Sequence, residues 1–149
     1  MRVSVVGGSV VPDPVEELAE DVGRLLAQRG HTVVCGGLGG AMEAVCRGAK
    51  NAGGETIGIL PGEDRDEANE YVDISIATGL GHARNALVVM NGDAVIAIDG
   101  SGGTLSEIGF GNVYDRPIAG IRTHNLGTLD RYQACKTPEE AVKYIEREV

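Results

Sequence analysis

Hydrophobic and polar positions follow two rhythms along this chain: short continuous apolar runs, and longer stretches with apolar residues three or four apart. "VSVV" (residues 3–6) is a β-rich run that stops at Gly7-Gly8 and predicts a buried strand. A helix start follows, with Asp13 as N-cap, Pro14 at the first helical position and Glu16 completing a capping box. Val15, Leu18, Ala19, Val22, Leu25 and Leu26 then share one helical face, and Gly30 ends the element. "HTVVC" predicts a second strand, stopped by Gly36-Gly37-Leu38-Gly39-Gly40, and "AMEAVCRGAKNA" a second helix. "ETIGIL" predicts a third strand, broken by Pro61-Gly62. An acidic loop, "EDRDEANE", leads into "YVDISIAT"; "GHARNALVVM" then reads as a helix and "DAVIAID" as another strand. "GGTLSEIGFGNVYD" predicts a helix, "PIAGI" a strand, and "TPEEAVKYIEREV" a final helix with its own capping box, Thr137 to Glu140.

Strands alternating with helices at this spacing mean βαβ units and a parallel sheet covered on both faces. The expected class is α/β, a Rossmann-like three-layer α/β/α sandwich with a mostly parallel sheet, built as one domain over residues 1–149. Ligands of such sheets sit beyond the carboxyl ends of the strands, near the switch in strand order. Three strand ends here carry glycine clusters: Gly7, Gly8 and Ser9; Gly36, Gly37, Gly39 and Gly40; and Gly100, Ser101, Gly102 and Gly103. All three fall on one edge of the predicted sheet.

Composition sharpens this picture. Glycine reaches 23 of 149 residues, gathered at turns, against about 7% in average usage. The net charge of −9 argues against a nucleic-acid backbone or an anionic membrane surface as partner. Arginine outnumbers lysine, which fits a salt-adapted acidic surface or an ordinary acidic cytosolic protein. Cys35, Cys46 and Cys135 lack C-x-x-C spacing, and His31, His82 and His124 are dispersed, so neither a disulfide scaffold nor a metal site is expected. Without a basic segment before a long apolar run, the expectation is a soluble, cytoplasmic protein.

The G-x-G-x-x-G fingerprint fails at every glycine cluster, and G-x-x-x-x-G-K-[ST] is absent. The general physics survives: glycine lets the backbone turn without a Cβ, and free N–H groups at a helix N-terminus attract an anion. The stretch "DGSGGTLSE" (residues 99–107) combines such a run with a carboxylate. Glu107 has two readings. It caps the helix with Thr104, or it acts on a ligand at the glycine turn. Arg84 likewise is either a solvated surface residue or a cation placed against an anionic ligand or Glu107, since a cation in the first turns of a helix is disfavoured.

"GGLGGAMEAVCRGA", "GHARN" and "DGSGGTLSE" together resemble, in order, the motifs of the Lonely Guy (LOG) superfamily. Those are a GG-x-x-G-x-M-x-A turn, then M-H-x-R-K, then P-G-G-x-G-T-x-x-E. LOG enzymes hydrolyse the N-glycosidic bond of nucleoside 5′-monophosphates to free base and ribose 5-phosphate. Molybdenum-cofactor carrier proteins are similar in fold and bind a phosphorylated pterin without turning it over. The compact chain looks more like that carrier-type branch.

The resemblance implies Arg84 and Glu107 at the catalytic positions, and Gly102, Gly103 and Thr104 as phosphate holders. It implies Met42 and the remaining glycine-cluster residues as ligand-lining, a molybdopterin-type or nucleotide ligand, and no cofactor for catalysis. It further implies a phosphorylated small molecule as partner and a homodimer or homotetramer, in line with Gly109 and Gly111 inside a helix. A pyridoxal-phosphate lysine decarboxylase is excluded, because Lys50, Lys136 and Lys143 all lie outside the motifs. Asp99 stands where the motif has proline, Ser101 where it has glycine, and Asn85 where it has lysine. Binding without turnover is therefore the leading expectation and phosphoribohydrolysis the alternative. A nucleotide-sensing or DNA-processing partner is a third reading.

Overall fold

The computed structural model describes residues 1–149. Seven strands form one sheet: β1 (Arg2–Gly7), β2 (Thr32–Cys35), β3 (Thr56–Leu60), β4 (Ile74–Ala77), β5 (Ala94–Ile98), β6 (Ile118–Ile121) and β7 (Tyr132–Cys135). Five helices connect or flank them: α1 (Asp13–Gln28), α2 (Ala41–Asn51), α3 (Asn85–Met90), α4 (Gly102–Val113) and α5 (Pro138–Glu148). The strand order is β4-β3-β2-β1-β5-β6-β7, and every pairing is parallel. The chain winds outward from β1 to β4, returns to the centre at β5, and winds out the other way. The switch in direction therefore lies between β1 and β5, in register from Val3 opposite Ala94 to Gly7 opposite Ile98. The expected α/β sandwich is what the chain forms.

A parallel sheet must be covered on both faces, so its central strands read as unbroken apolar runs. In β5 every residue of "AVIAI" is fully buried. One face packs 23 buried residues with α1, α2 and α5; the other packs 10 with α3 and α4. Gly111 explains how α4 lies so close to the sheet. A Cβ there would meet Ile118 Cδ1 at 2.9 Å, whereas Gly109 faces open space on the outer side.

Local expectations fared unequally. Helix α1 begins at Asp13, so the N-cap position falls on Pro12, in extended backbone, and no side chain caps the helix. The capping box with Glu16 does not form, because Glu16 instead pairs with Arg47 of α2 at 2.8 Å. At α5 the box is made almost as expected: Glu140 N–H donates to Thr137 Oγ1 at 3.2 Å, and Glu140 Oε2 accepts from Lys136 N–H at 2.8 Å. The single helix expected over "GHARNALVVM" is split into a 3₁₀ turn, Gly81–Arg84, and the short α3. Strand β7 was not signalled, since "YQAC" at the sheet edge leaves Gln133 and Ala134 exposed.

Candidate functional site at the carboxyl edge of the sheet

The carboxyl ends of β1, β2 and β5 open onto one cavity of about 380 Å³, at the switch point. That is within the range of small-molecule sites. Its wall combines Gly7, Gly8 and Ser9 at the end of β1; Gly36, Leu38 and Met42 around the β2–α2 turn; and Pro61 after β3. Gly81, His82, Arg84 and Asn85 close one side, and Ser101, Gly103, Thr104 and Glu107 of the α4 N-terminal region close another. Val5 and Val6 form the floor.

Helix α4 places its chemistry by simple periodicity. Thr104, Glu107, Ile108 and Gly111 are its buried residues, at the i, i+3, i+4, i+7 spacing of one face. The stripe runs from the cavity onto the sheet, so its first two members are polar and its last two pack on β5 and β6. Thr104 is the third residue of the helix and Ser101 occupies the N-cap, so the capping box read into Thr104 and Glu107 does not exist. Glu107 is 8% exposed and its carboxylate has neither hydrogen-bond nor ion-pair partner. Burial pushes its pKa up to about 7, while the Arg84 charge pulls the other way.

Arg84 is buried too, which removes the surface reading. Its Nε donates to Ile59 O at 2.9 Å and its Nη2 to Gly36 O at 3.4 Å, while Nη1 donates to Asn85 Oδ1. Burial lowers the Arg84 pKa, and the nearby charges of Glu107 and Cys35 oppose that. Gly36 is required by this arrangement, because a Cβ there would fall 2.6 Å from Arg84 Nη2 and 2.7 Å from Met42 Sδ. The guanidinium is thus pinned by two strand-end carbonyls and one amide, with N–H groups left over for a ligand.

Of the residues expected at the site, Gly8, Ser9, Gly36, Met42, Arg84, Ser101, Gly103, Thr104 and Glu107 line the cavity. Gly37, Gly39, Gly40, Gly100 and Gly102 do not. Gly40 joins two turns: at φ +63° it has no room for a Cβ, which would fall 2.4 Å from Gly8 O. The adjoining Ala41 N–H donates to that same oxygen at 3.0 Å. Gly37 and Gly100 are positive-φ residues facing Leu60 and Thr104, Gly39 sits by Ser9, and Gly102 faces open space. His82, Leu38, Pro61 and Asn85 were missed as lining residues. His82 and Asn85 flank the flagged Arg84 in sequence, whereas Leu38 and Pro61 carry no signal beyond being apolar.

Asp99, which stands at the motif's proline position, adopts φ +51°. A proline cannot reach that conformation. Its N–H also donates to Ile121 O at 3.2 Å, a bond proline could not make. The turn into α4 is therefore built differently here. The three thiols are free and buried, with Cys35 and Cys46 Sγ 3.5 Å apart, and no group of three potential metal ligands occurs.

Known proteins share this fold. The model of the SLOG cluster 4 family matches residues 1–146. A molybdenum cofactor binding protein from the phototrophic bacterium Rippkaea orientalis superposes with a TM-score of 0.92 at 31% identity, over 98% of this chain and 95% of that one. The molybdenum cofactor carrier protein of Chlamydomonas reinhardtii superposes with a TM-score of 0.91 at 27% identity, over 98% and 96%. A cytokinin riboside 5′-monophosphate phosphoribohydrolase of Mycobacterium tuberculosis is 32% identical over 87% of this chain and 79% of its own length. The chain belongs to the SLOG cluster 4 family, within the LOG superfamily and on its molybdenum-cofactor-carrier-like branch.

Proposed function

We propose that this protein binds a phosphorylated small molecule, a nucleotide or a pterin-type cofactor, in the cavity between β1 and β5 and holds it without turnover. The observation that carries this reading is the set of partnerless polar side chains that buried residues turn into the cavity around the α4 N-terminus. Thr104 and Glu107 have no hydrogen bond through their side chains, and Asn85 has none through its Nδ2. A few convergent polar groups in a concave site are what fixes a small ligand's orientation, and these three supply them. The helix N-terminus and Thr104 hold the oxyanion, and Glu107 and Arg84 face the ligand's sugar or ring. The cavity wall contains no Phe, Tyr or Trp, so the flat part of the ligand rests on Leu38, Met42, Pro61 and His82.

A second reading, phosphoribohydrolysis, is favoured by the unpartnered Glu107 carboxylate and by the mycobacterial relative. In it, ionised Glu107 stabilises an oxocarbenium-like ribose and positions water as the base departs. Mass spectrometry of copurifying small molecules identifies the ligand class. Incubation with several nucleoside monophosphates, followed by assay for free base, decides between the two readings: rapid release overturns the carrier assignment.

The same reading has residues 1–149 working as one binding domain in a homo-oligomer. Helix α4 carries one charged residue, Glu107, and it points inward. Its outer side presents Leu105 and Val113, 42% and 73% exposed, beside Gly109, with Met90 of α3 also exposed. On a chain of net charge −9 this uncharged face is where a second copy approaches with least repulsion. No helix is long and apolar enough to cross a membrane, and three free thiols suit a reducing, cytoplasmic compartment.

A further inference from the structure

Asn85 is the residue at the site whose chemistry departs most from the motif, and its geometry is informative. It is 5% exposed, at the first position of α3, and its side chain lines the cavity. Arg84 is only a donor, so the amide atom facing Nη1 must be the oxygen, and this fixes which way the amide points. Nδ2 is then turned to the other side. It has no protein acceptor, and a Cβ built on Gly103 would lie 3.8 Å from it. The unpaired donor therefore stands beside the second residue of a 12-residue helix, where the backbone N–H groups of the first turn are also free.

We propose that Asn85 is a ligand-contacting residue that sets the charge class of this site: Nδ2 donates to the oxyanion held at the α4 N-terminus, while Oδ1 keeps Arg84 in place. The inference rests on the binding reading above and gives it a specific consequence. Among the buried side chains of the wall Arg84 is the one cation, and its guanidinium is engaged by Ile59 O, Gly36 O and Asn85 Oδ1. The anion end therefore relies on dipoles: the helix N-terminus, the Thr104 hydroxyl and the Asn85 amide. Such a site selects an oxyanion by geometry and grips it less firmly than a lysine would. That suits a protein whose ligand must leave again.

Two near-isosteric variants separate the two halves of the amide. Asn85→Asp keeps an acceptor for Arg84 and removes the donor. Asn85→Leu removes both and adds no charge. Wild type and both variants are titrated with inorganic phosphate by calorimetry, with adenosine 5′-monophosphate and adenosine as a phosphorylated and an unphosphorylated probe. The expected result is at least about a tenfold loss of phosphate affinity in both variants, the scale of a hydrogen bond to a charged group, with a smaller loss for adenosine, which has no phosphate to place at the α4 N-terminus. Either folded variant binding phosphate within about twofold of wild type would overturn the assignment. If Asn85→Asp alone loses affinity, repulsion rather than a lost donor is responsible, and the donor role falls. A wild type that binds neither phosphate nor adenosine 5′-monophosphate sinks the binding reading itself, and this inference with it.

Discussion

Replacing Glu107 with Gln tests whether the carboxyl is held against its ordinary ionisation. The residue is 8% exposed and without a partner, and burial raises its pKa from 4.5 to about 7. A carboxyl whose pKa is raised on folding leaves the native state unaffected below the unfolded value. It then destabilises that state as pH climbs through the window between the two. The rise is worth about 3 kcal/mol at full development, by 1.36 kcal/mol for each tenfold change. That figure already contains the Arg84 attraction, which acts only on the ionised form. Gln mimics the protonated carboxyl, so Glu107→Gln should be more stable than wild type by about 1 kcal/mol at pH 5.5 and about 3 kcal/mol at pH 8. For a chain of this size that is a melting-temperature advantage of roughly 6–12 °C at pH 8. Thermal unfolding of both proteins across pH 5.5–8.5, without ligand, reads it directly. A gap that stays flat with pH, or a Gln variant less stable than wild type at pH 8, refutes the reasoning. It would show Arg84 or cavity water holding Glu107 ionised.

Gly36→Ala should cut phosphate-ligand affinity at least about tenfold, because its Cβ would fall 2.6 Å from Arg84 Nη2. Binding within twofold of wild type contradicts the role given to that contact. Arg84→Met should lower stability by about 1–3 kcal/mol for each carbonyl left unsatisfied at Ile59 and Gly36. It should also raise the Glu107 pKa further, seen by carboxyl titration, because the opposing charge is gone. Asp99→Gly should be tolerated at φ +51°, whereas Asp99→Pro should unfold the turn at a cost of about 3 kcal/mol or more. Equal melting temperatures for the two would refute the left-handed assignment. Val113→Glu should shift the mass measured by light scattering towards the 15.5 kDa monomer; an unmoved oligomer would place the interface elsewhere.

What could be read from the sequence follows from how local each signal is. The runs at β1 and β5 were legible because a strand buried on both faces is apolar at nearly every position, Ser4 being the exception with its hydroxyl donated to Val88 O. Strand β7 was not, because an edge strand needs few, and Tyr132 is anchored from outside the strand by donating its hydroxyl to His124 O at 2.6 Å. The Thr137 cap involves only its neighbours and was read correctly. The expected box at Asp13 and Glu16 lost to a partner 31 residues away, and the one at Thr104 and Glu107 fails because the N-cap is Ser101, three residues before Thr104. Arg84 and Glu107 were flagged because each sits uncomfortably in its local context. Asn85 stood out in sequence only as a lysine lost from the motif, and the direction of its amide gives it a contact of its own.

The choice between holding a ligand and cleaving it comes down to one proton. A hydrolytic site needs Glu107 ionised as positive charge develops on the sugar. A carboxyl already balanced near neutrality by burial is pushed further towards its protonated form when an anion settles nearby, since like charges disfavour each other. Arg84 is the opposing influence, and its guanidinium is shared with Ile59 O, Gly36 O and Asn85 Oδ1. A lysine at position 85 would add a second cation and shift the balance back towards carboxylate. With asparagine there, the loaded site favours a neutral carboxyl, able to donate one hydrogen bond to the ligand and poorly suited to stabilising an oxocarbenium ion. Asn85 and Glu107 thus act in the same direction, towards a cavity that recognises a phosphorylated ligand and leaves its glycosidic or ring bonds intact.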